Sequence, residues 1–183
     1  VLIEFKYGES YGGANLHYAR SGTDRTRIYR WLYDREDCPL EREALAGLGF
    51  ESLFYEPFYQ LMRQQFLAHE MERAHELEAE IVSLLHIAPE RNDQFRRVTS
   101  PALRGLGTCA TGIWAGLVRS RERFLSVSTE SLFGPFPADR FPTWGHGRRT
   151  SRTDIPGSMA ASGDYALEDQ PHALFQQADA HRH

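Results

Sequence analysis

A chain of 183 residues, 41% hydrophobic and 25% charged, is long enough for one domain with a proper core and a tail beyond it. Its formal net charge of -4 excludes nucleic-acid binding through bulk positive charge, so any such contact has to be local. The two cysteines, Cys38 and Cys109, are far apart and outside any C-x-x-C pair, which argues against a disulfide framework or a zinc knuckle and fits a reducing, cytoplasmic setting.

The first residues alternate, with Val1, Ile3, Phe5 and Tyr7 on one face and Leu2, Glu4 and Lys6 on the other, which predicts a strand over 1–7. The start has neither a basic region nor an apolar run, so no signal peptide is read there, and no long apolar stretch predicts a membrane partner. Opening in mid-strand at Val1, without Met, the chain is expected to be a fragment of a longer reading frame, cut at its N-terminus. Gly8, Gly12 and Gly13 break the strand. Residues 9–52 form a polar, Arg-rich stretch in which only short helices are expected, the best candidate being a turn or helix around Leu40 to Ala46.

At Glu56-Pro57 the pattern changes, because Pro favours the first helical position and the following run holds no Gly or Pro. A helix is predicted over Pro57 to Leu77. EIVSLLHIAP, residues 80–89, is almost continuously apolar and ends in Pro, as a buried strand does. Strand, insertion, helix and strand make a crossover unit, so the strands at Val1 to Tyr7 and Glu80 to Ala88 should be parallel neighbours with the helix on one face. A basic loop (Arg91, Arg96, Arg97, Arg104), a short helix near Thr111 to Arg119 and a strand at Phe124 to Ser128 follow. From Pro137 to His183 so few aliphatic residues remain that a disordered or loosely packed tail is expected.

Glu4-Phe5-Lys6 puts a carboxylate and an ammonium two residues apart on one strand, hence on one face and within reach of one phosphate. Metal-dependent phosphodiester hydrolysis needs that pairing: a carboxylate holds the cation, and a lysine orients the water and offsets developing charge. Lys6 is the sole lysine in a chain that otherwise uses arginine, and arginine substitutes poorly in that task. The bland alternative is a surface ion pair of little worth. Downstream, Gln60, Gln64, Leu67 and Met71 form one helical stripe, polar at its start, where the helix should lie near the C-terminal end of the Lys6 strand. Gln60 and Gln64 could hold a water, a metal ligand or a phosphate, or could simply border the buried face.

The order I-E-F-K-Y, a polar insertion, YEPFYQLMRQQFLAHEM and the strand EIVSLLHIAP resembles the PD-(D/E)XK, or restriction-endonuclease-like, nucleases over about residues 1–135, closest to their restriction endonuclease branch. The resemblance implies an α/β fold with a mixed sheet core and crossover helix, incomplete at the N-terminus, of which residues 1–136 are the C-terminal part. It implies an Mg²⁺- or Mn²⁺-dependent DNA endonuclease in which Glu4 is a metal ligand, Lys6 the catalytic lysine, and Gln60 or Gln64 the polar position on the helix behind the site. That family also places an Asp on the strand before E-x-K and usually an acid on an earlier helix. Only Val1 to Ile3 precede Glu4, so both acids are expected upstream and this fragment alone is expected to be inactive.

The rival expectation is a nucleic-acid-binding or scaffold domain that keeps the nuclease fold without hydrolysis. Other candidates are poorer. The glycines of GESYGGA lack the Lys-Ser/Thr of a phosphate loop. His69 and His75 are not spaced as a helical metal pair and read as exposed helix histidines. His86 reads as a satisfied buried histidine. Arg96, Arg97, Arg119, Arg121 and Arg123 could touch phosphates, or could pair with Glu90 or Glu122.

Overall fold

A computed structural model describes residues 1–135, apart from 7 and 9; what was expected of residues 137–183 lies outside the described residues. Three parallel strands form one sheet in the order β1-β2-β3: β1 is Leu2–Phe5, β2 Leu84–Ala88 and β3 Phe124–Ser128. Glu4 stands opposite His86, and His86 opposite Ser126. The expected parallel pairing of the first two strands is therefore present, and β3 has the expected bounds.

The strands are shorter than the hydrophobic pattern suggests. β2 starts at Leu84; ahead of it the Val82 N–H is taken by the Glu72 carboxylate at 2.7 Å, while the Ser83 carbonyl still accepts from the Leu2 N–H at 2.8 Å. The faces of β1 also deserve correction against ordinary patterning: Lys6 is 6% exposed, while Ile3 is 64% and Phe5 46% exposed. The charged face is the one turned inward.

A parallel pair needs a crossover, and the main helix lies between β1 and β2 in sequence. Ahead of it comes α1, Arg25–Asp34, a ten-residue helix in the polar stretch where only short helices were expected, and not at the candidate position Leu40 to Ala46. Asp24 caps it, accepting from the N–H and hydroxyl of Thr26. Tyr29 packs from α1 edge-on against Tyr59, with ring centroids 6.0 Å apart, and stacks on Phe66 at 6.4 Å. The stretch Leu40 to Ala46 is a run of turns closed by bonds such as Ala44 N–H to the Glu41 carbonyl at 3.1 Å. Leu40 and Leu45 are buried in it.

The crossover helix α2 spans Phe58–Ala74 and buries Phe58, Leu61, Met62, Gln65 and Phe66, the spacing of one helical face. It stops short of Leu77 because His75 and Leu77 take left-handed dihedrals, φ 49° and 54°. Helix-forming side chains lose there to the turn that returns the chain to the sheet. Among the described residues three short α-helices follow: α3 Asp93–Arg96, α4 Ala110–Leu117 and α5 Thr129–Phe133. Trp114 of α4 is fully buried, as are Phe54, Phe58 and Phe66. Among the described residues no helix is long and apolar enough to cross a membrane.

Candidate functional site

The site is built where the start of α2 crosses the inward face of β1. Alternation along β1 points Glu4 and Lys6 the same way, and their side chains form an ion pair through Nζ and Oε1. From α2, Gln64 donates its Nε2–H to the other oxygen, Oε2. Both carboxylate oxygens of Glu4 are thus engaged. Gln60 faces elsewhere: its Oε1 accepts from the Tyr11 hydroxyl at 3.3 Å, and Tyr11 in turn lies against Phe95 with centroids 5.7 Å apart. Of the two glutamines, only Gln64 is bonded to the charged pair.

Glu56, just before α2, was not singled out from the sequence. Its backbone carbonyl accepts from the Thr99 hydroxyl, and the Ser100 hydroxyl bonds the Ser52 carbonyl at 2.7 Å, so two side chains of the 99–100 segment pin this turn. The carboxyl Oε2 of Glu56 is buried and has no hydrogen-bond partner among the described residues. Burial pushes its pKa up to about 7, against the pull of Lys6, the Gln60 N–H and Arg63, while Glu4 adds to the rise. Glu56 therefore lies within the electrostatic reach of both Glu4 and Lys6. The signal available in the sequence was an acid immediately ahead of the helix-opening proline.

His86 is buried, as expected, but it is not satisfied. Its Nε2 has no partner among the described residues, while Nδ1 sits 3.5 Å from the Ser126 hydroxyl. Phe95 stacks on the ring at 3.7 Å, and burial, with help from Lys6 and Arg96, lowers its pKa to about 4. His69 is half-buried rather than exposed, its Nε2 3.5 Å from Asp37. Arg123 pairs with Glu72 at 3.0 Å, not chiefly with Glu122 at 3.9 Å, and Arg119 donates to the Glu36 carbonyl at 3.1 Å.

No group of three or more His, Cys, Asp and Glu that could hold a metal ion occurs among the described residues. A hard cation such as Mg²⁺ asks for less, since one or two carboxylates suffice when water and substrate phosphates complete the shell. Glu4 and the unpartnered oxygen of Glu56 match that modest donor set.

The described residues define an α/β protein built on a three-stranded parallel sheet. Over residues 1–147 the chain matches the family described as restriction endonuclease associating with ARP, and it belongs to that restriction endonuclease family. No curated protein and no solved structure matches the chain.

Proposed function

We propose that the protein hydrolyses phosphodiester bonds in DNA with Mg²⁺ or Mn²⁺, in the manner of the PD-(D/E)XK nucleases that its E-F-K strand resembles. The observation that carries this reading is the Glu4–Lys6 pair on the inner face of β1, bonded to Gln64 and beside the buried Glu56. A divalent cation in such a site supplies a bound water of lowered pKa.

The chain's own residues do the rest. Glu4 and Glu56 offer oxygen ligands. Lys6 orients the attacking water and offsets charge on the scissile phosphate, and Gln64 holds the Glu4 carboxylate in place. Gln60 acts one layer back, fixing the Tyr11 hydroxyl that closes this end of α2.

One observation favours a second reading, a DNA-binding domain without hydrolysis: both Glu4 oxygens already have protein partners. The deciding experiment is plasmid cleavage by the full-length protein with Mg²⁺, with Mn²⁺ and with chelator. Cleavage that needs the cation and disappears in Lys6→Ala supports hydrolysis. DNA retention with no cleavage under any of these conditions leaves the binding domain.

A further inference from the structure

A polar cavity of about 290 Å³ opens at the C-terminal ends of β2 and β3. His86, Arg96, Cys109, Thr111 and Ser126 wall it. It adjoins the Glu4–Lys6 site, because the Lys6 N–H bonds the Ile87 carbonyl at 2.8 Å, next to the wall residue Ala88.

The wall is rich in donors. The first N–H groups of α4 have no partners within their helix, and the residue at its N-cap is Cys109, whose side chain makes no cap hydrogen bond. An Asp or Ser there would have supplied an oxygen to the helix end; the Cys109 sulfur that the Thr111 and Gly112 N–H groups face instead is a weaker acceptor. Burial works to raise the Cys109 thiol, but the Thr111 hydroxyl, the N–H groups of Gly112 and Thr111, and Arg96 together bring it below its ordinary value. The surroundings favour negative charge.

Two further groups are unspent. Arg96 makes no ion pair or hydrogen bond among the described residues. His86, only 2% exposed, has an Nε2 without a partner. If Nδ1 accepts from the Ser126 hydroxyl, Nε2 carries the proton and is a donor. The nearby acids are occupied: Glu90 accepts from the Ser128 hydroxyl at 3.1 Å, and Glu130 from the Glu90 N–H at 3.0 Å.

We propose that this cavity is a phosphate subsite, with Arg96, the first turn of α4, Thr111 and His86 as its donors. Its ligand is a phosphate group, free or in a polynucleotide backbone; the polynucleotide source rests on the hydrolytic reading above, the anion site does not. A phosphate seated there would place the neighbouring stretch of a nucleic-acid strand at Lys6.

Cys109 supplies the reporter, since the other cysteine, Cys38, is fully buried. In the full chain, the rate of Cys109 alkylation by iodoacetamide is read by mass spectrometry with inorganic phosphate, and with oligonucleotides carrying or lacking a 5′-phosphate. Phosphate should slow alkylation several-fold, and the ratio with and without phosphate should return to one in Arg96→Gln. Lys6→Ala should keep the protection while losing cleavage, which separates the two readings. Stronger protection by the phosphorylated oligonucleotide assigns the site to a polynucleotide; protection by inorganic phosphate alone keeps the subsite and removes that source. Alkylation indifferent to phosphate and to every oligonucleotide, or protection equal in Arg96→Gln, overturns the proposal.

Discussion

Glu4 and His86 share one rung of the parallel ladder, so a carboxylate and an imidazole leave neighbouring strands toward the same face of the sheet. Ser126 extends the row on β3. The rung is polar from edge to edge, and its middle member is the one most removed from water.

That position makes His86 an acid-sensitive point. Its pKa falls from 6.5 to about 4 on burial, so the fold favours the neutral ring. The sign follows: the contribution to stability is whole above the unfolded pKa and drains away as pH falls from 6.5 toward 4. The shift corresponds to about 3 kcal/mol, on the order of 1.4 kcal/mol per pKa unit. Denaturant titrations at pH 7 and pH 4 should show His86→Gln losing less stability on acidification than the wild type. Equal losses would remove His86 from the acid response.

Gln64 should matter through its bond to Glu4. Gln64→Leu keeps the helix and removes the donor, and a hydrogen bond to a charged group is worth about 1.5–3 kcal/mol. Gln64→Glu should cost more, because it sets a like charge against Glu4. Urea midpoints for the two variants give the order, and a Gln64→Glu protein at least as stable as Gln64→Leu contradicts this geometry.

Lys6→Arg separates an ion pair from a catalytic group. It keeps the positive charge but changes shape and acidity, so a structural pair tolerates it and a water-orienting lysine does not. DNA cleavage by Lys6→Arg should fall by about 10²-fold or more, as for loss of a transition-state donor, with DNA binding little changed. Full cleavage with unaltered metal dependence would take Lys6 out of the mechanism.

A fourth test concerns the charged network that ties the loop after α1 to α2. Arg35 bonds Asp37 at 2.7 Å and Glu70 at 2.6 Å, and Arg73 pairs with Asp37. Hydrogen bonds from Arg35, and then from Arg73, hold the Asp37 carboxyl well below the usual carboxylate range. A depressed acid stabilises the fold above its unfolded pKa and ceases to do so as pH falls through the folded value. Because Asp37 is 42% exposed, solvent screening limits the effect, and Asp37→Asn should cost on the order of 1 kcal/mol at pH 7. Thermal melts at pH 7 and pH 3 should find the gap between the two proteins narrowing in acid.

The parts of the fold that were legible are those with an unambiguous period. Alternation marked β1, the run to Pro89 marked β2, and crossover logic made the two parallel. The same alternation brought Glu4 and Lys6 to one face, and the helical stripe brought Gln64 to Glu4. Helix α1 was hidden because its buried positions are Thr26, Tyr29 and Leu32, only one of them aliphatic, among arginines. The position of Glu56 ahead of the helix-opening proline was legible, but its burial was not, nor was the lack of a partner for His86 Nε2 among the described residues, because both depend on segments distant in sequence, such as the one that stacks Phe95 on the His86 ring.

The inward turn of the charged face of β1 reverses the usual rule for which changes a strand absorbs. Ile3 and Phe5, the residues a hydrophobicity scale would protect, stand 64% and 46% exposed, whereas Lys6 is 6% exposed. Random mutagenesis of this strand should therefore recover folded protein with polar residues at positions 3 and 5 more readily than with apolar ones at 4 and 6. The mutational tolerance of β1 is thus a negative image of its hydrophobic pattern.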